Sequence, residues 1–123
     1  MSGIDPDLIE EIRDSARDFL QRRDQRQRKR SATAPDRDYW REIAEVGWIG
    51  MSVPEAQGGL GLPRRAMAAV LEEAGRAQLP EPLVAAGVLP AALLARLAPV
   101  DAARRDALLQ AVCGGAMLIG LAW

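Results

Sequence analysis

Two neighbouring stretches decide how this chain is read: Ile43-Ala44-Glu45-Val46-Gly47-Trp48-Ile49-Gly50 and Val53-Pro54-Glu55-Ala56-Gln57-Gly58-Gly59-Leu60-Gly61-Leu62. The first closes a helix. Over residues 36–46, Tyr39, Trp40, Ile43 and Ala44 fall on one side at helical spacing, and Gly47 supplies the stop. Residues 48–62 then hold four glycines and one proline, which makes them a loop. It is an apolar loop, so it is expected to pack, with Trp40 and Trp48 largely buried. Pro63 opens the next helix, which runs to about Ala77 with Met67, Val70, Leu71 and Ala74 as its buried stripe.

Working outward, residues 5–30 form one helical segment. Leu8, Ile9, Ile12, Ala16, Phe19 and Leu20 recur at helical spacing, Asp5 suits a cap, and Pro6 suits the first position. The stripe stops at Leu20. Residues 22–30 carry six basic residues and one acid, Asp24, and read as a solvated helix end offset by Asp14 and Asp18. Pro80-Glu81-Pro82 breaks the chain before a fourth segment, residues 82–97, that is apolar on nearly every side and is therefore expected to be central. Pro90 lies inside it and predicts a kink or a division into two pieces; Pro99 ends it. Asp101 caps a fifth segment with Leu108, Leu109 and Val112 as its stripe, stopped by Gly114-Gly115.

Residues 116–123, Ala-Met-Leu-Ile-Gly-Leu-Ala-Trp, are a continuous apolar run. In a longer chain they would be a buried strand. Exposed together, Met117, Leu118, Ile119, Leu121 and Trp123 would favour association. The fold class expected is all-α: about five or six helices in a bundle or crossing orthogonally, over residues 1–115, followed by that apolar segment.

Composition excludes several functions. The 123 residues suit one domain; 16 basic and 17 acidic residues leave a net charge of −1, which argues against nucleic-acid binding through bulk charge. Histidine is absent and Cys113 is the one cysteine, which removes His-based catalysis and the usual Cys/His zinc sites, so no metal is expected. Cys113 reads as a buried, inert thiol. The longest greasy stretch, residues 83–98, is interrupted by Gly87, Pro90 and Arg96, so no membrane span is expected, and the default location is the cytoplasm. Glu72 and Glu73 point about 100° apart on a helix and are no catalytic pair; Glu73 is placed to pair with Arg76. Gly58-Gly59-Leu60-Gly61 lacks the preceding strand and following lysine of a phosphate loop, and reads as a tight apolar turn. The small residues Ala85, Ala86, Gly87, Ala91 and Ala92 leave room for a close helix or for a ligand.

The order of these segments resembles the N-terminal helical domain of the acyl-CoA dehydrogenase family. Residues 43–50 are similar to its helix-Gly-Trp turn, residues 53–62 to its V-P-E-x-x-G-G-x-G motif, Val70-Leu71-Glu72-Glu73-Ala74-Gly75-Arg76 to its V-x-E-E-x-G-R helix, and residues 118–123 to the first strand of its middle β domain. The resemblance implies a flavoenzyme that uses FAD to remove hydrogens from adjacent carbons of an acyl-CoA thioester. It also implies that FAD and the catalytic base belong to the longer parent, with none expected on this chain alone. The partners implied are acyl-CoA, the parent's own β and C-terminal domains or a partner subunit, and an oligomeric assembly. Counting from Glu72-Glu73 without gaps, the family's acyl-pocket positions fall on Pro82, Leu83, Ala86 and Gly87. Pro80-Glu81-Pro82-Leu83 resembles bacterial members acting on bulky acyl groups. A stand-alone helical interaction module or non-catalytic partner subunit is the alternative.

Overall fold

The computed structural model describes residues 5–98 and 100–122. Pro99, read above as a helix end, and Trp123, the last residue of the apolar run, lie outside the described residues. The fold is all-α: α1 (Pro6–Gln21), α2 (Gln25–Ser31), α3 (Arg37–Glu45), α4 (Arg64–Ala77), α5 (Leu89–Arg96) and α6 (Ala102–Cys113). A 3₁₀ turn spans Glu55–Gln57 and a π-helical turn spans Val84–Val88. Among the described residues there is no strand.

Aspartates start four of these helices. Carboxylate oxygens of Asp5, Asp24, Asp36 and Asp101 accept hydrogen bonds from the N–H groups of Asp7, Gln27, Tyr39 and Arg104 at 2.9 to 3.1 Å, satisfying donors that the first helical turn leaves unpaired. The cap at Asp24 corrects the single segment expected over residues 5–30. With nothing apolar to bury after Leu20, the chain breaks at residues 22–24 and restarts as α2, which places most of the basic run on its own short helix.

The chain forms two compact units, each discontinuous in sequence. One comprises the residues up to Pro35 together with Pro63–Glu81. In it α1 packs on α4, with Ala16, Phe19 and Leu20 buried on α1 and Ala66, Met67, Ala69 and Val70 on α4. The polar centre of this unit is Glu73, 3% exposed. Its carboxylate accepts from Arg17 Nε at 3.1 Å and Arg17 Nη2 at 3.3 Å, from Arg76 Nη1 at 3.4 Å and from Arg13 Nη1 at 3.5 Å. The Arg76 pair expected within α4 is present, but Arg17 and Arg13 on α1 also bind this carboxylate. These hydrogen bonds hold Glu73 below the usual carboxylate range, the Arg17 bond foremost.

A carboxyl with a lowered folded value adds stability that is present above its unfolded value, near 4.5, and is lost as pH falls through the folded one. The wild-type denaturation midpoint is therefore expected to fall steeply from pH 4.5 downward. In Glu73→Gln the same titration by circular dichroism should be flatter; parallel curves would count against the network.

Elsewhere in this unit, Arg28 donates to both Glu81 carboxylate oxygens, at 2.9 and 2.5 Å, and to Gln25 Oε1 at 2.6 Å. Gln25 in turn donates to Leu20 O at 3.0 Å. One arginine of the basic run is thus a tie across 53 residues of sequence, not a solvated end.

The other unit comprises Asp36–Leu62 and the residues from Pro82 onward. Its core is Tyr39, Trp40, Ile43, Trp48, Ile49, Leu109 and Val112, so the two tryptophans and the apolar loop pack as the sequence predicts. Gly115, at φ +76°, ends α6 where a Cβ would meet Ala44 Cβ at 2.8 Å, which only glycine avoids. Gln57 Nε2 donates to Ala95 O at 3.0 Å, tying the 3₁₀ turn to α5.

Three expectations are corrected in this unit. Residues 82–97 are not central: Val84, Leu89, Leu93 and Leu97 are all exposed, because an all-round apolar composition does not state which sides are covered. Leu108 is half-buried, leaving Leu109 and Val112 as the inward pair of α6. Cys113 is half-buried, not buried, with Sγ 3.2 Å from the Cβ position of Gly50; desolvation pushes its thiol up. Residues 116–122 run without helix or strand, with Met117 exposed and Leu118, Ile119 and Leu121 half-buried.

Candidate functional site

Residues 82–87 follow the Pro80-Glu81-Pro82 break and enter the π-helical turn. Pro82 is exposed and its carbonyl accepts from Ala86 N–H at 2.9 Å, which starts the helical path. Leu83, Ala86 and Gly87 turn inward and are buried. A Cβ on Gly87 would lie 3.0 Å from Trp40 Cη2 and 3.2 Å from Ile49 Cγ1, so the tryptophan and Ile49 pack closely against the glycine. Of the four positions singled out, three share the inner side of this turn and one lies outside it.

The face left open by this segment was missed. Val84 and Ala85 are exposed in the turn, and Leu89, Leu93 and Leu97 recur every four residues along α5, which sets them on one side. Their four-residue spacing was in the sequence. It was masked by Pro90, Ala91, Leu94 and Ala95, equally apolar residues that face elsewhere or are half-covered.

The remaining candidates carry no chemistry of their own. All five consecutive N–H groups of residues 58–62 are spent inside the loop, on Glu55 O, Pro54 O, Gly50 O, Val53 O and Met51 O at 2.9 to 3.1 Å. None is left to cradle a phosphate. Glu73, held ionised by arginines, is a weak proton acceptor. Glu72 is bound to Arg13 Nη1 at 2.8 Å. Among the described residues no group of three or more Asp, Glu, Cys or His side chains is placed to hold a metal, and no helix is long and apolar enough to cross a membrane. Cavities of about 320 and 310 Å³ lie along α1 and α4, and neither is lined by residues 82–87.

Comparison with known proteins agrees with this architecture. The family model described as "Acyl-CoA dehydrogenase, N-terminal domain" matches residues 6–115. The acyl-CoA dehydrogenase IpdE2 of Mycobacterium tuberculosis is 38% identical over 95 residues, covering 73% of this chain and 30% of that protein. A solved structure of the Tcur3481-Tcur3483 steroid ACAD, in a variant form, superposes with a TM-score of 0.77 at 30% identity, covering 93% of this chain and 32% of that one. The chain spans about a third of the length of these relatives.

Proposed function

Since the chain belongs to the acyl-CoA dehydrogenase family, as its N-terminal domain, we propose that it serves a longer oxidoreductase as one wall of an acyl pocket. The parent removes two hydrogens from the α and β carbons of an acyl-CoA thioester, with FAD as acceptor. The observation that carries this reading is the family match over residues 6–115, which includes the whole of the 82–87 segment. The segment that contributes to the pocket is the one that carries Pro82, Leu83, Ala86 and Gly87; Gly87 seats it on Trp40, and the open side of the turn, at Val84, Ala85 and Leu89, is the side offered to the acyl group.

The glycine cluster of residues 58–61 does not fit the diphosphate of FAD. With the N–H groups of residues 58–62 all committed, the glycine cluster offers its diphosphate nothing. The cofactor and the catalytic base belong to the remainder of the parent, so the chain alone is inactive. Residues 1–115 form the domain and residues 116–123 begin the β domain. Partners are the parent's β and C-terminal domains, or a separate subunit supplying them, in an oligomer placed in the cytoplasm. The small side chains at positions 85–87 and the similarity to a steroid ACAD support a bulky acyl group over a straight chain.

Ala86→Phe in the full-length parent tests the pocket. Turnover of a bulky ring-bearing acyl-CoA is expected to fall by about tenfold or more while butyryl-CoA is spared, one methyl-to-phenyl clash being of the order of 1 to 3 kcal/mol. A uniform loss on both substrates would mean that Ala86 only packs.

A further inference from the structure

The turn that opens the candidate acyl segment carries a backbone acceptor that its own helix leaves unpaired. In the Val84–Val88 π-helical turn, Leu89 N–H donates to Val84 O, five residues back. In an α-helix that N–H would serve Ala85 O. The next N–H in line would belong to residue 90, which is a proline and has none. The shift in register has a cause: a proline ring clashes with the carbonyl four residues before it, here that of Ala86, and widening the turn relieves the clash. Ala85 thus loses both of its helical donors. It is exposed, flanked by exposed Val84 and by Leu89, on a surface otherwise without polar side chains from residue 82 to residue 95.

The inner side of the same turn is fixed by packing: Trp40 Cη2 and Cζ2 lie 3.0 and 3.1 Å from the Cβ position of Gly87, so the turn is seated on the core while Ala85 stays on its open side.

We propose that the Ala85 carbonyl is a recognition point for a hydroxyl group on the bound acyl moiety. This rests on the acyl-pocket reading above. An acyl group laid over the turn strips water from that carbonyl. A hydrocarbon returns nothing for the lost hydrogen bond, and a ketone offers only a second acceptor, whereas a hydroxyl donates to it. The segment therefore selects hydroxylated rings over their deoxy and keto counterparts.

The test uses the 123-residue chain with carbonyl-¹³C alanine, titrated in parallel with benzyl alcohol, benzaldehyde and toluene and followed by NMR. Benzyl alcohol is expected to move the Ala85 carbonyl resonance saturably. Benzaldehyde and toluene should shift amides of residues 83–89 and leave that carbonyl in place. Pro90→Ala keeps a good helix former and adds an N–H at position 90. Either helical register then gives Ala85 O a donor, and its response to benzyl alcohol should fall about fivefold or more. Equal carbonyl movement with all three probes, or an undiminished response in Pro90→Ala, overturns the carbonyl's role and leaves the acyl segment standing. No shift anywhere in residues 82–89 with any probe overturns both.

Discussion

Trp40→Ala is expected to lower the unfolding free energy by about 3 to 5 kcal/mol, the range for truncating a fully buried aromatic side chain. Trp40 is 1% exposed and its ring edge is what Gly87 packs against, so the cavity opens between α3 and the π-helical turn. Neither side collapses easily, because Ile43 and Ile49 are already buried beside other core residues. Trp48→Ala should follow closely. Trp40→Phe is the informative companion. It keeps most of the ring and deletes an N–H that has no acceptor, so it should lose far less. Urea denaturation of the three variants decides the matter, and a loss below about 0.5 kcal/mol for Trp40→Ala, as at a surface site, would contradict the packing.

Gly59→Ala is expected to be nearly as damaging for the opposite reason, too little room. A Cβ there would overlap the Val53 carbonyl oxygen and lie 2.5 Å from Val53 Cβ and 2.6 Å from its carbonyl carbon. The obstacle is backbone, pinned by Gly61 N–H donating to Val53 O at 2.9 Å, so it has no rotamer through which to retreat. The penalty should reach the upper part of the overpacking range, about 3 kcal/mol. Gly75→Ala is the contrast: it sits in α4 with nothing within 4 Å of its Cβ position, and should gain roughly 0.5 to 1 kcal/mol from a stiffer unfolded chain and better helix propensity. Thermal midpoints moving the same way for both glycines would refute this reading.

The helix starts at Asp5 and Asp101 were legible because each is a local chemical event, announced by residue type and by the apolar period that follows. The stops at Gly47 and Gly115 were legible for the same reason. The start at Asp24 was not, because no apolar period follows it. The end of α4 falls at Ala77 as expected, but the residue that makes the stop does not announce itself: it is Gln78, at φ 60°, a conformation that glutamine seldom adopts, and the turn is held by Leu79 N–H reaching Ala74 O at 3.0 Å. Glu73 exposes a different limit. Spacing along a helix reveals a partner three residues away in Arg76 and cannot reveal Arg17, brought in by packing across 56 residues. The candidate site was located by motif alone. Nothing in an all-apolar run marks which side faces in, so Leu83 and Ala86 could be named while the open faces of Val84 and Leu89 could not. Pro90 is expected to kink the segment or divide it into two pieces, and the outcome, a turn widened over five residues ahead of α5, follows from the same ring clash and missing N–H.

The chain leaves one unit for the other at Pro35-Asp36, returns at Leu62-Pro63, and leaves again at Glu81-Pro82. Seen as a process in time, this interleaving fixes an order of events. A growing chain cannot complete the unit built on α1 and α4 until residue 81 has emerged, and by then residues 36–62 have been waiting as a closed loop. Ring closure over such a loop carries an entropic penalty that rises by only about 0.6 kcal/mol for each doubling of length, so the delay is tolerable thermodynamically. It also means that no single cut separates the two units. A truncation at Pro35-Asp36 leaves α1 without α4, one at Glu81-Pro82 leaves α3 and its apolar loop without α5 and α6, and one at Leu62-Pro63 does both, exposing unfinished halves of both cores together.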